Sequence, residues 1–383
     1  MRIVIAPDKF KGSLGAEEAA QCLAAGIREA RPDAATTVVP MADGGEGTLD
    51  AALANGYERR EAVVHGPLGA PVQASFALRG DEAVVELAVA SGLALVPADR
   101  RDALAASSRG TGELIAAALD AGATRIVLAI GGSASTDGGA GLIAALGARL
   151  LNASGTELAD GGGVLRELAV VDLSGLDPRV ARTRFVLACD VDHVLLGQAG
   201  AATVFGPQKG ADAAQVAALE AGLTTFSRLI QRALQDERDL ALMPGAGAAG
   251  GVGFAALAVL GAERRAGVDV VVDLVRLRDR LVGADLVVTG EGSFDEQSLG
   301  GKTPIGVARV SAELGIPVVA VCGRTTLGEK DWRAAGFVQC YATLDRAPDA
   351  ETSMREAGRL LAEIGYEIAD GTCRPSGVEP SKS

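Results

Sequence analysis

The residues able to do chemistry in this chain are carboxylates set in glycine-rich loops. Asp8, Asp43, Glu46, Asp137, Asp190, Asp192, Glu291 and Asp295 all lie in short polar segments where Gly stands beside Asp, Glu or Ser. Seven such segments occur: residues 6–14 (APDKFKGSL), 41–48 (MADGGEGT), 130–141 (IGGSASTDGGAG), 189–197 (CDVDHVLLG), 205–211 (FGPQKGA), 244–253 (PGAGAAGGVG) and 289–302 (TGEGSFDEQSLGGK). Gly lets successive backbone N–H groups converge on an anion, and a helix that follows adds its positive end. One such loop reads as a tight turn. Seven in one chain read better as a phosphate-handling site. Phosphoryl transfer asks for a divalent metal, a carboxylate to hold it, cations on the transferred group and an acceptor in line. Mg2+ is usually held by one or two carboxylates together with phosphates and waters. Lys9, Lys11, Arg109, Lys209 and Lys302 are the candidate cations.

Other chemistries find less support. With two histidines, His65 and His193, Ser-His-Asp catalysis and His-rich metal centres are disfavoured. Cys22, Cys189, Cys322, Cys340 and Cys373 show no C-x-x-C spacing and read as buried thiols of a reducing cytosol. The formal net charge is −13, with no basic stripe for nucleic acid or an anionic membrane. Gly301-Lys302-Thr303 looks like the end of a P-loop, but Glu296 stands where the earlier glycine is required. Residues 245–250 fit G-x-G-x-x-G, yet no clear acidic residue ends a second strand about 20 residues on. A nucleotide-dependent oxidoreductase would need that fingerprint to hold.

The elements that must position these loops follow from periodicity. Residues 2–6, 36–40, 125–130, 185–189, 285–289 and 317–322 read as strands. Residues 16–30, 48–54, 141–151, 213–236 and 304–314 read as helices, and 290–302 as a loop. From 61 to 87 alternating segments joined by turn pairs read as an antiparallel sheet. Residues 241–262 carry no charge, but six of these 22 are Gly and one is Pro, which favours a glycine turn feeding a buried helix over a membrane span. The N-terminus lacks the order of a secretory signal. Cytoplasmic localisation is expected.

The expected architecture is α/β with two domains. Residues 1–64 and 285–370 would form a Rossmann- or flavodoxin-like parallel-sheet domain. Residues 65–284 would form an inserted mixed α/β domain, and 371–383 a flexible tail. Glycine makes up 51 of 383 residues, well above the usual 7% or so, and the loops above account for much of that excess.

At these residues the chain resembles the bacterial glycerate kinases, of the type found in glucarate and galactarate breakdown. The motifs stand in order from about residue 3 to 369: APDKFKGSL, ADGGEGT, SSRGTGELI at 107–115, GGSASTDGGAG, ACD at 188–190, FGPQKGA, PGAGAAGGVG, and TGEG followed by D-x-Q-S and G-K-T-P-I-G-V-A. The resemblance implies a two-domain kinase that transfers the γ-phosphoryl of ATP to D-glycerate with Mg2+. The implied product is 2-phospho-D-glycerate, with 3-phospho-D-glycerate as the alternative and a non-catalytic sugar-acid sensor or an oxidoreductase as rivals. Two departures stand out. His193-Val194 replaces a usual Asn-Pro pair, and Ser293 replaces a common basic residue.

The expected roles follow. Asp190, Asp295 and Lys11 would be catalytic, with Asp190, Glu291 and Asp295 holding metal. Asp8, Ser13, Asp43, Glu46 and Lys209 would bind substrate. Gly131, Gly132, Ser133, Gly138, Gly245, Gly247, Gly250 and Gly290 would bind ATP, largely through backbone N–H groups. The partners would be D-glycerate and ATP in a cleft between the domains, with no nucleic acid and no membrane, and with a homodimer left open.

Overall fold

The computed structural model describes residues 1–371. The expected tail, 371–383, lies outside the described residues apart from Gly371, and so does Cys373. In chain order the strands are β1 (Arg2–Ile5), β2 (Ala35–Val38), β3 (Glu58–His65), β4 (Pro71–Arg79), β5 (Glu82–Glu86), β6 (Arg125–Ala129), β7 (Arg149–Asn152), β8 (Leu168–Asp172), β9 (Arg184–Ala188), β10 (Glu263–Arg265), β11 (Leu286–Phe294), β12 (Val318–Thr325) and β13 (Phe337–Ala342). The chain divides into two compact units. The first holds Met1–Asp43, Asp50–Asn55 and the chain from Val268 on; the second holds Gly44–Leu49 and Gly56–Gly267.

The first unit is a parallel sheet in the order β13-β12-β11-β1-β2. Counted within the unit, this is the flavodoxin-like arrangement, and its topological switch point lies between β1 and β11. The central strands β1, the first half of β11 and β12 through Cys322 are largely apolar on both faces, as a sheet covered on both sides requires. On one face Val4, Ala6, Val287, Ala320 and Cys322 pack with Val268, Val271, Val307 and Val310 from two helices. On the other, Ile3, Ile5, Val288, Val319 and Val321 pack with Leu23 and Ile27 of the helix Ala16–Ala30 and with Leu361 and Ile364 of the helix Ala357–Asp370.

The second unit holds a mixed six-stranded sheet, β10-β9-β6-β5-β4-β3. The meander β3-β4-β5 is antiparallel, while β5, β6, β9 and β10 run parallel. β5 is therefore the hinge between the two textures. A small antiparallel pair, β7-β8, stands apart.

Three differences from the sequence reading have clear causes. The chain passes between the two units at 43/44, 49/50, 55/56 and 267/268, where the sequence suggests boundaries near 64 and 284. β3 pairs along its whole length with β4, and Val268 and Val271 are buried in the parallel-sheet core. The helix expected over 141–151 spans Ala140–Ala145 and then yields to β7, because Gly147 turns left-handed at φ 103°. The loop expected over 290–302 is strand as far as Phe294, followed by a short helix, Glu296–Leu299. β11 can run on because its neighbour lies very close: a Cβ at Gly290 would fall 1.6 Å from the Val321 carbonyl oxygen.

Candidate active site

In the first unit the switch point gathers three acidic side chains. Asp8 lies in the loop just past the end of β1, after Ala6 and Pro7, and its backbone N–H donates to the Gly290 carbonyl at 2.8 Å. Its Oδ1 accepts from the Lys9 N–H at 2.6 Å, and its Oδ2 accepts from the Thr303 hydroxyl at 2.7 Å. Asp8 is buried, and burial pushes its carboxyl up to about 7. The charge of Asp43 pushes the same way, against the two hydrogen bonds; Glu291 adds a smaller push. Glu291, in β11, is also buried and also raised to about 7, chiefly by burial. Ser298 and Lys302 pull it down, while Asp43 and Asp295 push it up. Two carboxylates poised near neutrality at a strand-edge crevice are what proton transfer at physiological pH requires.

Glu291 carries a further signal: its Oε1 is buried without a hydrogen-bond partner. Leaving such an oxygen unpaired costs about 1–3 kcal/mol, so a cation or donor brought by a ligand would find an acceptor ready there. Among the described residues no set of three or more His, Cys, Asp or Glu forms a ready metal cage. A site for Mg2+ needs no such cage, since substrate phosphates supply much of the shell. The unpaired oxygen of Glu291 fits that requirement.

Asp295 is drawn into local structure. It caps the helix Glu296–Leu299, accepting from the N–H groups of Gln297 at 3.0 Å and Ser298 at 3.3 Å, and from the Ser293 hydroxyl at 3.2 Å. Burial raises its carboxyl, but these bonds and Lys302 outweigh burial and hold it below the usual range. Lys11 is exposed, with its backbone nitrogen against Gly292. Ser13 donates to the Met354 carbonyl at 2.8 Å. Asp43 is half-buried.

In the second unit the glycine loops close around two buried charges. Asp137 is fully buried. Its Oδ2 accepts from the N–H and hydroxyl of Ser108 at 2.9 and 2.8 Å and from the Gly141 N–H at 3.2 Å; its Oδ1 accepts from the Gly139 N–H at 3.1 Å. Lys209 is fully buried too, and its ammonium donates to the Ser135 carbonyl. Burial lowers Lys209 to about 7, against the pull of Asp137. Beside it the chain makes three consecutive left-handed residues, Ala249, Gly250 and Gly251. A Cβ at Gly250 would lie 1.9 Å from the Ser135 carbonyl oxygen and 2.8 Å from the Lys209 ammonium.

Several expected phosphate-binding glycines are spent inside the protein. The Gly138 N–H donates to the Gly250 carbonyl at 3.0 Å, and the Gly247 N–H to the His193 carbonyl at 2.8 Å. Gly250 and Gly290 are fixed by close packing. Gly131 lies against Gly45, and Gly245 against Arg264. Gly132 gives its carbonyl to Leu93. The Ser133 hydroxyl bonds to the Ala249 carbonyl at 3.1 Å and the Ser135 carbonyl at 3.2 Å. Asp190 is exposed and its Oδ1 accepts from the Gly267 N–H at 2.7 Å, while Asp192 pairs with Arg264 at 2.6 Å. Glu46 is exposed; the loop it sits in is ordered instead by buried Glu86, whose Oε2 accepts from the N–H groups of Gly47 at 3.1 Å and Leu49 at 2.9 Å. The 245–250 fingerprint is preceded by a 3-10 turn, Leu240–Leu242, and not by a strand, so it lacks the strand-turn-helix setting of a dinucleotide site.

Sequence reasoning missed Thr303, Glu86 and Ser108. Each is a polar residue on or beside an apolar run. The signal was there for Thr303, inside the motif read only as a failed P-loop. Ser108 likewise lies inside the SSRGTGELI motif at 107–115, while Glu86 gave no signal.

The model of the Glycerate kinase family matches residues 3–372. This chain belongs to that family. Among its glycerate kinase relatives, the Glycerate 2-kinase of Escherichia coli (strain K12) is 50% identical over 331 residues, covering 85% of this chain and 86% of the relative. The Glycerate kinase of Bacillus subtilis (strain 168) is 44% identical over 373 residues, covering 96% and 97%. A crystal structure assigned as glycerate kinase 2 from Salmonella typhimurium LT2 superposes with a TM-score of 0.84 at 42% identity, covering 96% of this chain and 97% of that one. No helix among the described residues is long and apolar enough to cross a membrane. The uncharged stretch 241–262 contributes the left-handed residues Ala249, Gly250 and Gly251 and the helix that runs on from them to Ala258, buried along most of its length.

Proposed function

We propose that this protein phosphorylates the C2 hydroxyl of D-glycerate from ATP, with Mg2+, to give ADP and 2-phospho-D-glycerate. The observation that carries the site assignment is the pair Asp8 and Glu291, both raised to about 7 at the switch point of the parallel sheet. Membership in the family supports the kinase class. The 50% identity to a relative named Glycerate 2-kinase supports the 2-phosphate.

In this reading Asp8, ionised, takes the proton of the attacking hydroxyl. The hydroxyl oxygen bonds to the γ-phosphorus as the bond to the β,γ-bridging oxygen breaks, and ADP leaves. Thr303 fixes the orientation of Asp8 and keeps its pKa from rising further. Glu291 would hold Mg2+ with Asp295, and Asp190 is kept as a metal-ligand candidate of the second unit. Mg2+ bound there would neutralise charge on the ATP phosphates. Asp43 is assigned to the glycerate hydroxyls, and Lys11 to an anionic group of substrate. Gly131, Gly132, Ser133 and Gly245 remain the proposed phosphate contacts of the second unit. Lys209 is reassigned from substrate binding to tying the 131–139 loop to Gly250, since its ammonium is fully buried against Ser135. Cytoplasmic localisation goes with this activity.

An ADP-release assay with D-glycerate, ATP and Mg2+ tests the reading. Turnover should depend on D-glycerate. ADP release with other hydroxy acids but not with D-glycerate would overturn it.

A further inference from the structure

We infer that Arg324 binds the anionic end of a substrate in the first unit, either the carboxylate of the hydroxy acid or the terminal phosphate of the nucleotide. The inference rests on the kinase reading above and names a residue that reading does not use.

The parallel register places it. Glu291 pairs with Cys322, and two residues on Ser293 pairs with Arg324. Side chains alternate along a strand, so these four residues share one face of the sheet. Arg324 lies one same-face step along β12 from Cys322, the direct partner of Glu291, a separation that a long side chain can span. Arg324 is thus a neighbour of the carboxylate with the unpaired oxygen. Asp8 is bound to the same face through Thr303, whose helix packs there through Val307 and Val310.

The orientation of Arg324 is set without using up its binding capacity. Its Nε donates to the Ser293 hydroxyl at 3.3 Å, and that hydroxyl donates onward to Asp295 at 3.2 Å. The two terminal nitrogens make no hydrogen bond or ion pair among the described residues, and the side chain is exposed. An aimed guanidinium with both terminal nitrogens open is suited to bidentate capture of a carboxylate or phosphate.

The site also needs such a charge. Asp8, Asp43, Glu291 and Asp295 act on one another electrostatically, and an anionic substrate entering among them would be repelled. Lys302 already acts on Glu291 and Asp295. Ser293 leaves its own position uncharged. Arg324 supplies a cation to that spot from the adjoining strand.

The test is Arg324→Ala, beside Arg324→Lys and the exchange Ser293→Arg with Arg324→Ser. KM is measured separately for D-glycerate and ATP, and binding of each is measured by calorimetry. Arg324→Ala should raise one KM at least roughly tenfold, the scale of a lost charge-assisted hydrogen bond, with kcat changed much less. A rise for D-glycerate identifies the carboxylate, and a rise for ATP the phosphate. The exchange variant should recover most of the loss, and Arg324→Lys a part of it. An unchanged melting temperature for Arg324→Ala would separate binding from a structural role. If both KM values and both binding constants of Arg324→Ala match the unaltered protein, the inference is overturned. If the unaltered protein fails to turn over D-glycerate, the kinase reading falls, and the calorimetric comparison still decides Arg324: weaker binding in Arg324→Ala sustains it, and equal or no binding overturns it.

Discussion

The Thr303 hydroxyl donates to Oδ2 of Asp8 at 2.7 Å, joining positions 295 residues apart in the chain. The bond runs from the first turn of the helix Thr303–Glu313 to the loop that follows β1. It also acts against the burial that raises Asp8, so the protonation of the proposed base depends on a neutral residue.

Replacing Thr303 tests that dependence. Thr303→Val removes the donor and nearly keeps the shape. The bond lowers the Asp8 pKa, so its loss must raise it above about 7. The acidic limb of the kcat profile should therefore move to higher pH, while Thr303→Ser leaves it near its original place. A limb that stays put in Thr303→Val would remove Asp8 from proton transfer.

The same carboxyl should show in stability. Folded Asp8 titrates near 7 against an ordinary value of 3.8, so the folded state keeps a proton that the unfolded chain gives up. Its contribution is present below about pH 4 and is lost as pH rises through 7. Glu291 acts with the same sign. Asp8→Asn should melt higher, relative to the unaltered protein, at pH 8 than at pH 4. Thermal melts across that range give the comparison, and a difference that does not vary with pH would contradict the raised pKa.

Asp295 is both a cap and a proposed metal ligand, and Asn separates the two. Asn caps a helix about as well as Asp. Asp295→Asn should thus lower the melting temperature only slightly at neutral pH, by the charge that the depressed carboxyl lends the folded state, and lower kcat at least roughly tenfold. Near-normal turnover at all Mg2+ concentrations would leave the residue with the cap alone.

Gly250 tests the loop system of the second unit. Ala at this position meets the Ser135 carbonyl at 1.9 Å and adopts a left-handed backbone at φ 70°. Gly250→Ala should cost more than about 2 kcal/mol in urea unfolding, from overpacking and backbone strain together. A loss under about 0.5 kcal/mol would mean that the loop readily shifts.

Much of the frame was legible because periodicity reports burial. The helix over 16–30, the helix over 48–54 and the α/β class follow from apolar spacing and stop signals. Within the site, Asp8, Asp43, Glu291 and Asp295 stood out as acids beside glycines, and the structure gathers them. What escaped were relationships made by distant chain. Nothing local shows that Thr303 reaches Asp8, that Glu86 orders the 44–49 loop, or that Ser293 faces Arg324. Glycine gave a mixed signal for the same reason. It serves a ligand loop and a close backbone approach equally, and at Gly247 and Gly290 neighbouring backbone leaves no room for a Cβ. The run 290–294 read as a loop because glycine and polar residues broke the apolar pattern, yet its backbone pairs with β12 to Thr325.

The central claim is the reaction itself. Enolase consumes 2-phosphoglycerate directly and 3-phosphoglycerate only after a mutase has acted. The protein should be incubated with ATP, Mg2+, D-glycerate and enolase, with no mutase present, and both ADP and phosphoenolpyruvate followed. Phosphoenolpyruvate formed in step with ADP is the predicted result. ADP without phosphoenolpyruvate until a mutase is added would contradict the 2-phosphate, and no ADP at all would contradict the kinase.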